Sequence, residues 1–255
     1  MAQIGSSENP LRVAIIGSGP SGFYAADHLQ KQKDLTVFID MYDKLPTPFG
    51  LVRGGVAPDH QKIKSVTKVY DKIADNPNFR FYGHVEFGKD ITYADLADHY
   101  HAVIYAVGAQ TDRALGIPGE HLIGSHPATE FVGWYNGHPE YRHLQFDLSQ
   151  KSVAIIGVGN VAMDVARILA RSQAELKQTD IADYALDALS KSSITEIHIF
   201  GRRGPAQAAF TNPEIKELGE MEECDLIIAP REIALDEFSK AYLESPDADK
   251  KDVKN

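Results

Sequence analysis

The 255 residues contain a single cysteine, Cys224. Within this chain a disulfide framework, a Cys-x-x-Cys redox pair and a multi-cysteine zinc or iron–sulfur centre are therefore excluded, and no metal site is expected. Beside Asp225-Leu226-Ile227-Ile228 the lone thiol reads as a small buried hydrophobe. Long apolar runs are missing too. None approaches the ~20 residues of a membrane helix, so no membrane span is expected. The opening, Met1 to Pro10, has no basic segment leading into an apolar core, and no arginine precedes Arg12. Neither a signal nor a transit peptide is read there, and a cytoplasmic chain is expected. Positive charge is also short: 26 Lys and Arg stand against 36 Asp and Glu, a net charge of −10. That balance argues against a general nucleic-acid binder or a binder of anionic membranes. The remaining composition, 43% hydrophobic and 24% charged, is ordinary for a globular chain and excludes wholesale disorder.

What is present is an internal echo. Val13-Ala14-Ile15-Ile16-Gly17-Ser18-Gly19 returns 140 residues later as Val153-Ala154-Ile155-Ile156-Gly157-Val158-Gly159. Solenoid repeats run about 20–50 residues, so this spacing points instead to two nucleotide-binding units in one chain. Each echo is a short β-branched run, the pattern of a fully buried parallel strand. Each then enters a glycine turn and a helix. After the first, Phe23, Ala26 and Leu29 mark the apolar side of a helix over 21–31. After the second, Val161, Val165, Ile168 and Leu169 share a face.

Elsewhere the pattern predicts a strand over 35–39 and a functional loop over 46–60, rich in Gly and Pro. A helix follows over 61–74, with Ile63, Val66, Val69, Tyr70 and Ile73 on one side. Strands are predicted within 79–87, a helix over 93–99, and a buried strand over 102–107. Beyond the second echo come a strand over 194–200, a helix over 213–221 and a strand over 225–229. The architecture expected is α/β, two Rossmann-like parallel-sheet units incomplete at their C-terminal sides. Their bounds are 1–110 and 111–235, followed by a charged, flexible tail over 236–255.

Gly17-Ser18-Gly19-Pro20-Ser21-Gly22 is a full Gly-x-Gly-x-x-Gly between strand and helix. The first glycine permits the turn, the second lets a pyrophosphate approach the backbone, and the third lets helix pack on strand. Asp43, 21 residues after Gly22, stands where an acid accepts ribose hydroxyls, with Asp40 as the competitor nearer the strand. In the second turn, Gly157-Val158-Gly159-Asn160-Val161-Ala162, alanine replaces the third glycine. Its following strand ends in Gly201-Arg202-Arg203-Gly204 instead of an acid. Two guanidiniums at that place suit a ribose 2′-phosphate. The two different ribose partners suggest a flavin at the first site and NADP at the second.

Longer motifs carry a specific resemblance. The loop Leu45-Pro46-Thr47-Pro48-Phe49-Gly50-Leu51-Val52-Arg53-Gly54-Gly55-Val56-Ala57-Pro58-Asp59-His60 resembles the flavin-contacting loop of adrenodoxin reductase-type NADPH:ferredoxin reductases. Residues 157–169, 201–211, 131–137 and 117–120 are similar to that family as well. The likeness runs in order from Leu11 to Leu218, about four-fifths of the chain. It implies FAD held by Gly17, Gly19, Pro20, Ser21, Gly22, Asp43, Leu51, Phe87 and Gly108. It implies NADP(H) held by Gly157, Val158, Gly159, Asn160, Val161, Arg202, Arg203 and Glu214. His60, Asp164 and Glu214 match family positions near the two reacting rings. The activity implied is passage of a hydride from NADPH to FAD, then of single electrons to a ferredoxin-type iron–sulfur protein or other one-electron acceptor. Location in the mitochondrial matrix is this family's alternative. Two departures stand out: Gln61 replaces the usual proline after the histidine, and a returning Gly-Trp and Gly-Pro-x-Gly segment is not found. The resemblance is therefore to an N-terminal portion, and the alternative reading is a truncated nucleotide-binding fragment, weakly active or non-catalytic.

Overall fold

The first apolar run sets the architecture around it. In β1 (Leu11–Ile16) Val13 and Ile15 join one core cluster while Ala14 and Ile16 join another, and all four are buried. A strand covered on both faces calls for parallel neighbours joined by crossovers. β1 pairs in parallel with β2 (Val37–Asp43) and β4 (Ala102–Tyr105), and β2 with β3 (Phe79–Gly83). The order β3-β2-β1-β4 reverses direction at β1. The crevice beyond the carboxyl ends of β1 and β4 is thus a topological switch point, where open parallel sheets bind ligands.

The structure is a computed structural model that describes residues 2–109 and 111–254. It divides into two units, Met1–Val56 with His60–Arg113, and Ala57–Asp59 with Ala114–Asn255. In the first, α1 (Pro20–Gln30), α2 (Leu51–Gly54), α3 (Gln61–Lys64), α4 (Thr67–Ala74) and α5 (Tyr93–His99) accompany the sheet. Phe23 of α1 stacks on Tyr70 of α4 at 4.8 Å between centroids, within the cluster that holds Val13, Ile15, Ile39 and Met41. Leu96 of α5 packs with Ala14, Ile16 and Tyr42. Each such apolar side chain contributes about 1.5–3 kcal/mol by leaving water.

In the second unit β5 (Ser152–Ile156) and β6 (Glu196–Phe200) form a two-stranded parallel sheet. Its helices are α6 (Ala128–Tyr135), α7 (Asn160–Ala170), α8 (Gln173–Leu176), α9 (Asp183–Leu189), α10 (Asn212–Gly219), α11 (Glu237–Leu243) and α12 (Lys250–Lys254). Phe131, Trp134 and Tyr135 of α6 meet Val165 and Ile168 of α7, with Leu176, Ile181 and Ala185. Leu218 of α10 packs against Met163 and Ala166 of α7. Among the described residues no helix is long and apolar enough to cross a membrane.

Several expectations need correction. The second echo is not a fully buried strand: in β5 and β6 every second residue is exposed, Ile156 and Phe200 among them. Among the described residues, helices cover one face of that pair and leave the other exposed. β4 likewise leaves Ala102 and Tyr105 exposed. The loop over 46–60 contains a helical turn, α2, and the helix over 61–74 breaks at Ser65 and Val66, leaving Ile63 and Val69 exposed. Val161 is exposed as well, and Met163 takes the buried place on α7. Residues 225–229 form no strand; Ile227 is 87% exposed, since an apolar run without a neighbouring strand has no ladder to join. Cys224 is half-buried, not buried. Residues 236–254 carry α11 and α12, with Asp236 capping α11 by accepting from the Ser239 amide.

Candidate functional site

In the first unit the glycine turn closes the end of β1. Gly17 sits at φ +105°, and a Cβ there would lie 2.3 Å from the Ala106 carbonyl oxygen, so only glycine fits. A Cβ on Gly22 would lie 2.2 Å from the Gly17 oxygen, which is the close helix–strand approach its position requires. Gly19 ends extended as the N-cap of α1, with no capping side chain and no acid in the first turn. The start of α1 therefore presents backbone N–H groups and positive dipole to whatever lies before it, as an anion site does. By contrast, α5 closes its own N-terminus with a Thr92–Asp95 capping box.

The loop presses on this turn. The Phe49 amide donates to the Ser18 carbonyl at 3.0 Å, and Phe49 itself holds φ +93°, a strained backbone for a side chain of that size. Leu51 is 65% exposed at the start of α2. Gly108 follows β4 at φ +69° with open space around it. Phe87 is half-buried, edge-on to Tyr105 at 5.3 Å. His60 is the N-cap of α3.

The two candidate acids separate cleanly. Asp40 points into the sheet's covering layer, where both its oxygens accept from Arg80, at 2.6 and 2.7 Å, and the Tyr100 hydroxyl adds a third bond at 2.6 Å. Burial first, then the bonds to Asp40 and Tyr42, push the Tyr100 hydroxyl well above the usual tyrosine range. Asp40 is structural. Asp43 is the last residue of β2, and its carboxylate lies on the glycine turn, accepting from the Ser18 amide and hydroxyl.

In the second unit the Gly157 amide donates to the Phe200 carbonyl, tying the turn to the end of β6. A Cβ on Gly159, the N-cap of α7, would meet nothing within 4 Å. Protein packing does not demand glycine there, and the space suits a phosphate against the backbone. Asn160 accepts from the Thr211 amide at 2.8 Å, and the Val158 carbonyl accepts from the Ala209 and Phe210 amides, so the segment after β6 is fastened to the turn. Val161 lies exposed in the first turn of α7. Arg202 and Arg203 are exposed and make no ion pair among the described residues. Their guanidiniums are available to an anion. Both turns thus fit the pyrophosphate of a dinucleotide, and the second adds two cations for a further phosphate.

A buried ionic cluster lies one turn along α7. Arg167 is 0% exposed and faces four carboxylates. Its Nε and Nη2 donate to Asp59 at 2.6 and 3.2 Å, and Nη2 also donates to Asp164 at 2.6 Å. Nη1 lies 3.4 Å from Glu214 and from Glu217. Arg171 adds a third bond to Asp59 at 2.9 Å. Burial opposes the Arg167 charge, but the Asp59 bond and the charges of Asp59 and Asp164 outweigh it and raise its pKa. Beside them the Tyr135 hydroxyl is buried and has no hydrogen-bond partner among the described residues. Burial, then the Asp164 and Asp59 charges, hold that phenol protonated far above the usual range. Asp164 and Glu214 are therefore drawn together by one guanidinium. Arg167 and Asp59 were not anticipated as a pair. Their only local signal was an arginine three residues after an aspartate within an otherwise mostly apolar helix.

These features define a class. Residues 11–199 match the model of the pyridine nucleotide-disulphide oxidoreductase family, and the chain belongs to it. Any disulphide chemistry by a cysteine pair lies outside these 255 residues, which hold one cysteine. Among particular proteins the chain is similar to the NADPH-ferredoxin reductase FprA of Mycobacterium tuberculosis, 52% identical over 228 residues, 88% of this chain and 50% of that one. It is 50% identical over 214 residues to the mitochondrial NADPH:adrenodoxin oxidoreductase of Arabidopsis thaliana, covering 84% of this chain and 44% of that one. The solved structure of M. tuberculosis FprA in complex with NADPH superposes with a TM-score of 0.85 at 51% identity, over 88% of this chain and 51% of that chain. The chain thus spans about half the length of the relatives it matches.

Proposed function

We propose that the chain is the dinucleotide-binding part of an NADPH:ferredoxin oxidoreductase, with FAD on the first unit and NADP(H) on the second. FAD, when bound, supplies the exchange between two-electron hydride chemistry and single electrons. The chain's own residues bind and orient. Backbone N–H groups at the starts of α1 and α7 receive the two pyrophosphates, and Asp43 receives the adenosine ribose of the flavin nucleotide. Pro20, Ser21, Leu51, Phe87 and Gly108 line the first site's approaches; His60, Asp164 and Glu214 are assigned to the reacting rings. The acceptor is a ferredoxin-type iron–sulfur protein or another one-electron carrier, in keeping with the names of the FprA and adrenodoxin oxidoreductase relatives. The single cysteine fits a reducing aqueous compartment, the cytoplasm or the mitochondrial matrix.

The observation that carries this reading is the pair Arg202 and Arg203, exposed and without an ion pair among the described residues just past β6, where an NAD site places an acid. Isothermal titration with NADP+ and NAD+ tests it without needing any flavin: a clear preference for NADP+ is expected, and equal affinities would sink it. A second reading of these 255 residues by themselves is nucleotide binding without turnover. Flavin absorbance in the purified chain, with NADPH-dependent reduction of ferricyanide, separates the two.

A further inference from the structure

We infer that Arg167 is a positioning residue of the second dinucleotide site, acting through Asp164 and Glu214. This rests on the nucleotide reading above. Asp164 lies four residues after Asn160, so the two share a face of α7, and about 6 Å of axial rise separates it from the helix start where a pyrophosphate would sit. Glu214 occupies the first turn of α10, and the N-cap of that helix, Thr211, donates its amide to Asn160. Both carboxylates are thus fastened to the same end of α7 by independent backbone. Neither helix fixes the direction of a carboxylate at the end of a flexible side chain. Arg167 does, by donating Nη2 to Asp164 at 2.6 Å and offering Nη1 to Glu214 at 3.4 Å. Asp59 in turn holds the guanidinium itself, taking Nε and Nη2 in a fork.

Stability alone does not account for this cluster. Buried ion networks cost heavily in desolvation, and well-packed apolar residues of similar volume often do as well or better. What a planar guanidinium adds is direction: it presents fixed N–H vectors, and the carboxylates must follow them. The groups these carboxylates would meet lie at the nicotinamide end of the dinucleotide, since Arg202 and Arg203 mark the adenosine 2′-phosphate end. A carboxamide N–H donor and the cationic oxidised ring are the natural partners of an oriented carboxylate.

The test uses two ligands, NADP+ and adenosine 2′,5′-bisphosphate, which keeps the 2′-phosphate end and lacks the nicotinamide. Isothermal titration compares the parent with Arg167→Lys and Arg167→Met, and melting temperature monitors the fold. Arg167→Lys, which keeps charge but loses the fork, is expected to weaken NADP+ about tenfold while leaving the bisphosphate within about twofold. Arg167→Met is expected to widen that gap. Adding Glu214→Gln to Arg167→Lys should weaken NADP+ by less than the product of the two single effects, as groups acting through one another do. Parallel loss of both ligands, unchanged NADP+ affinity in both variants, or failure of both variants to fold would overturn the inference. The first and third of those results would make Arg167 a structural residue only. A parent that binds neither ligand would instead remove the nucleotide reading, and the inference with it.

Discussion

Asp43 accepts hydrogen bonds from both the amide and the hydroxyl of Ser18, at 2.8 and 2.5 Å, so the acid at the end of β2 is aimed at the glycine turn at the end of β1. Its other oxygen accepts from the Leu45 amide at 2.9 Å. Both carboxylate oxygens are therefore held beside the glycine turn by neighbouring N–H and O–H donors. Asp43→Ala removes a charge-assisted acceptor worth about 1.5–3 kcal/mol, roughly ten- to a hundredfold in FAD affinity. Ser18→Ala keeps the acid but frees its rotation, and a smaller loss is expected. Quenching of flavin fluorescence on titration into the chain measures both. Undiminished FAD affinity in Asp43→Ala, or a tighter grip on FMN than on FAD, would remove Asp43 from the ribose role.

Two tyrosines, Tyr135 buried and Tyr100 half-buried, should respond oppositely to loss of their hydroxyls. The Tyr135 hydroxyl has no hydrogen-bond partner among the described residues, so Tyr135→Phe removes an unsatisfied polar atom and is expected to be neutral or stabilising by about 1 kcal/mol. The Tyr100 hydroxyl donates to Asp40 and lies 2.6 Å from the Tyr42 hydroxyl. Tyr100→Phe leaves a buried carboxylate short of a donor and should cost about 1–3 kcal/mol. Urea unfolding of each variant decides the matter, and a Tyr135→Phe chain that loses as much as Tyr100→Phe would contradict it.

At high pH the core of the first unit should fail through Tyr70. It is 1% exposed and stacked on Phe23; burial, then the Tyr24 hydrogen bond and charge, push its phenol up to about 12. In the unfolded chain the same group ionises near 10. Because the folded value is the raised one, this contribution is whole below pH 10 and is lost as pH climbs from 10 towards 12. The slope is one proton's worth, about 1.4 kcal/mol per pH unit. Tyr70→Phe should shed that part of the alkaline slope in denaturant melts taken at successive pH values. An unchanged slope would show that Tyr70 does not hold its proton as described.

Local pattern made some of this legible and left the rest hidden. The Gly17–Gly22 turn, helix α5 over Tyr93–His99 and the strand before Gly157 were all readable, because each is written in consecutive residues. The bounds of β2 were not. Asp40 breaks the apolar run, yet it is buried against Arg80, a partner 40 residues away, and the strand continues to Asp43. The exposed sides of β5 and β6 were equally hidden, since five apolar residues record that a strand forms, not how many layers cover it. The Arg167 cluster was furthest from reach. Its fork to Asp59 spans 108 residues of sequence, and an arginine on a helix reads as solvated until its partner is placed.

Cofactor choice is the prediction with the widest margin. Arg202 and Arg203 stand after β6, exposed, while the buried Arg167 and the half-buried Arg171 are engaged by carboxylates. A 2′-phosphate carries up to two negative charges and accepts a planar fork from each guanidinium. At about 1.5–3 kcal/mol for each charged hydrogen bond, a preference for NADP(H) over NAD(H) of roughly a hundredfold or more follows. NAD(H) offers these arginines nothing, so its affinity should scarcely depend on them. Replacing both by alanine is expected to lower NADP+ affinity steeply, leave NAD+ nearly unchanged and flatten the salt dependence of NADP+ binding, because exposed charge pairs are screened. Both residues lie on the surface, so the fold should survive the change. Calorimetric titration of both nucleotides into parent and double variant, at two ionic strengths, reads all three effects. A double variant that loses NADP+ and NAD+ alike would show that the arginines shape the turn, not that they read the phosphate.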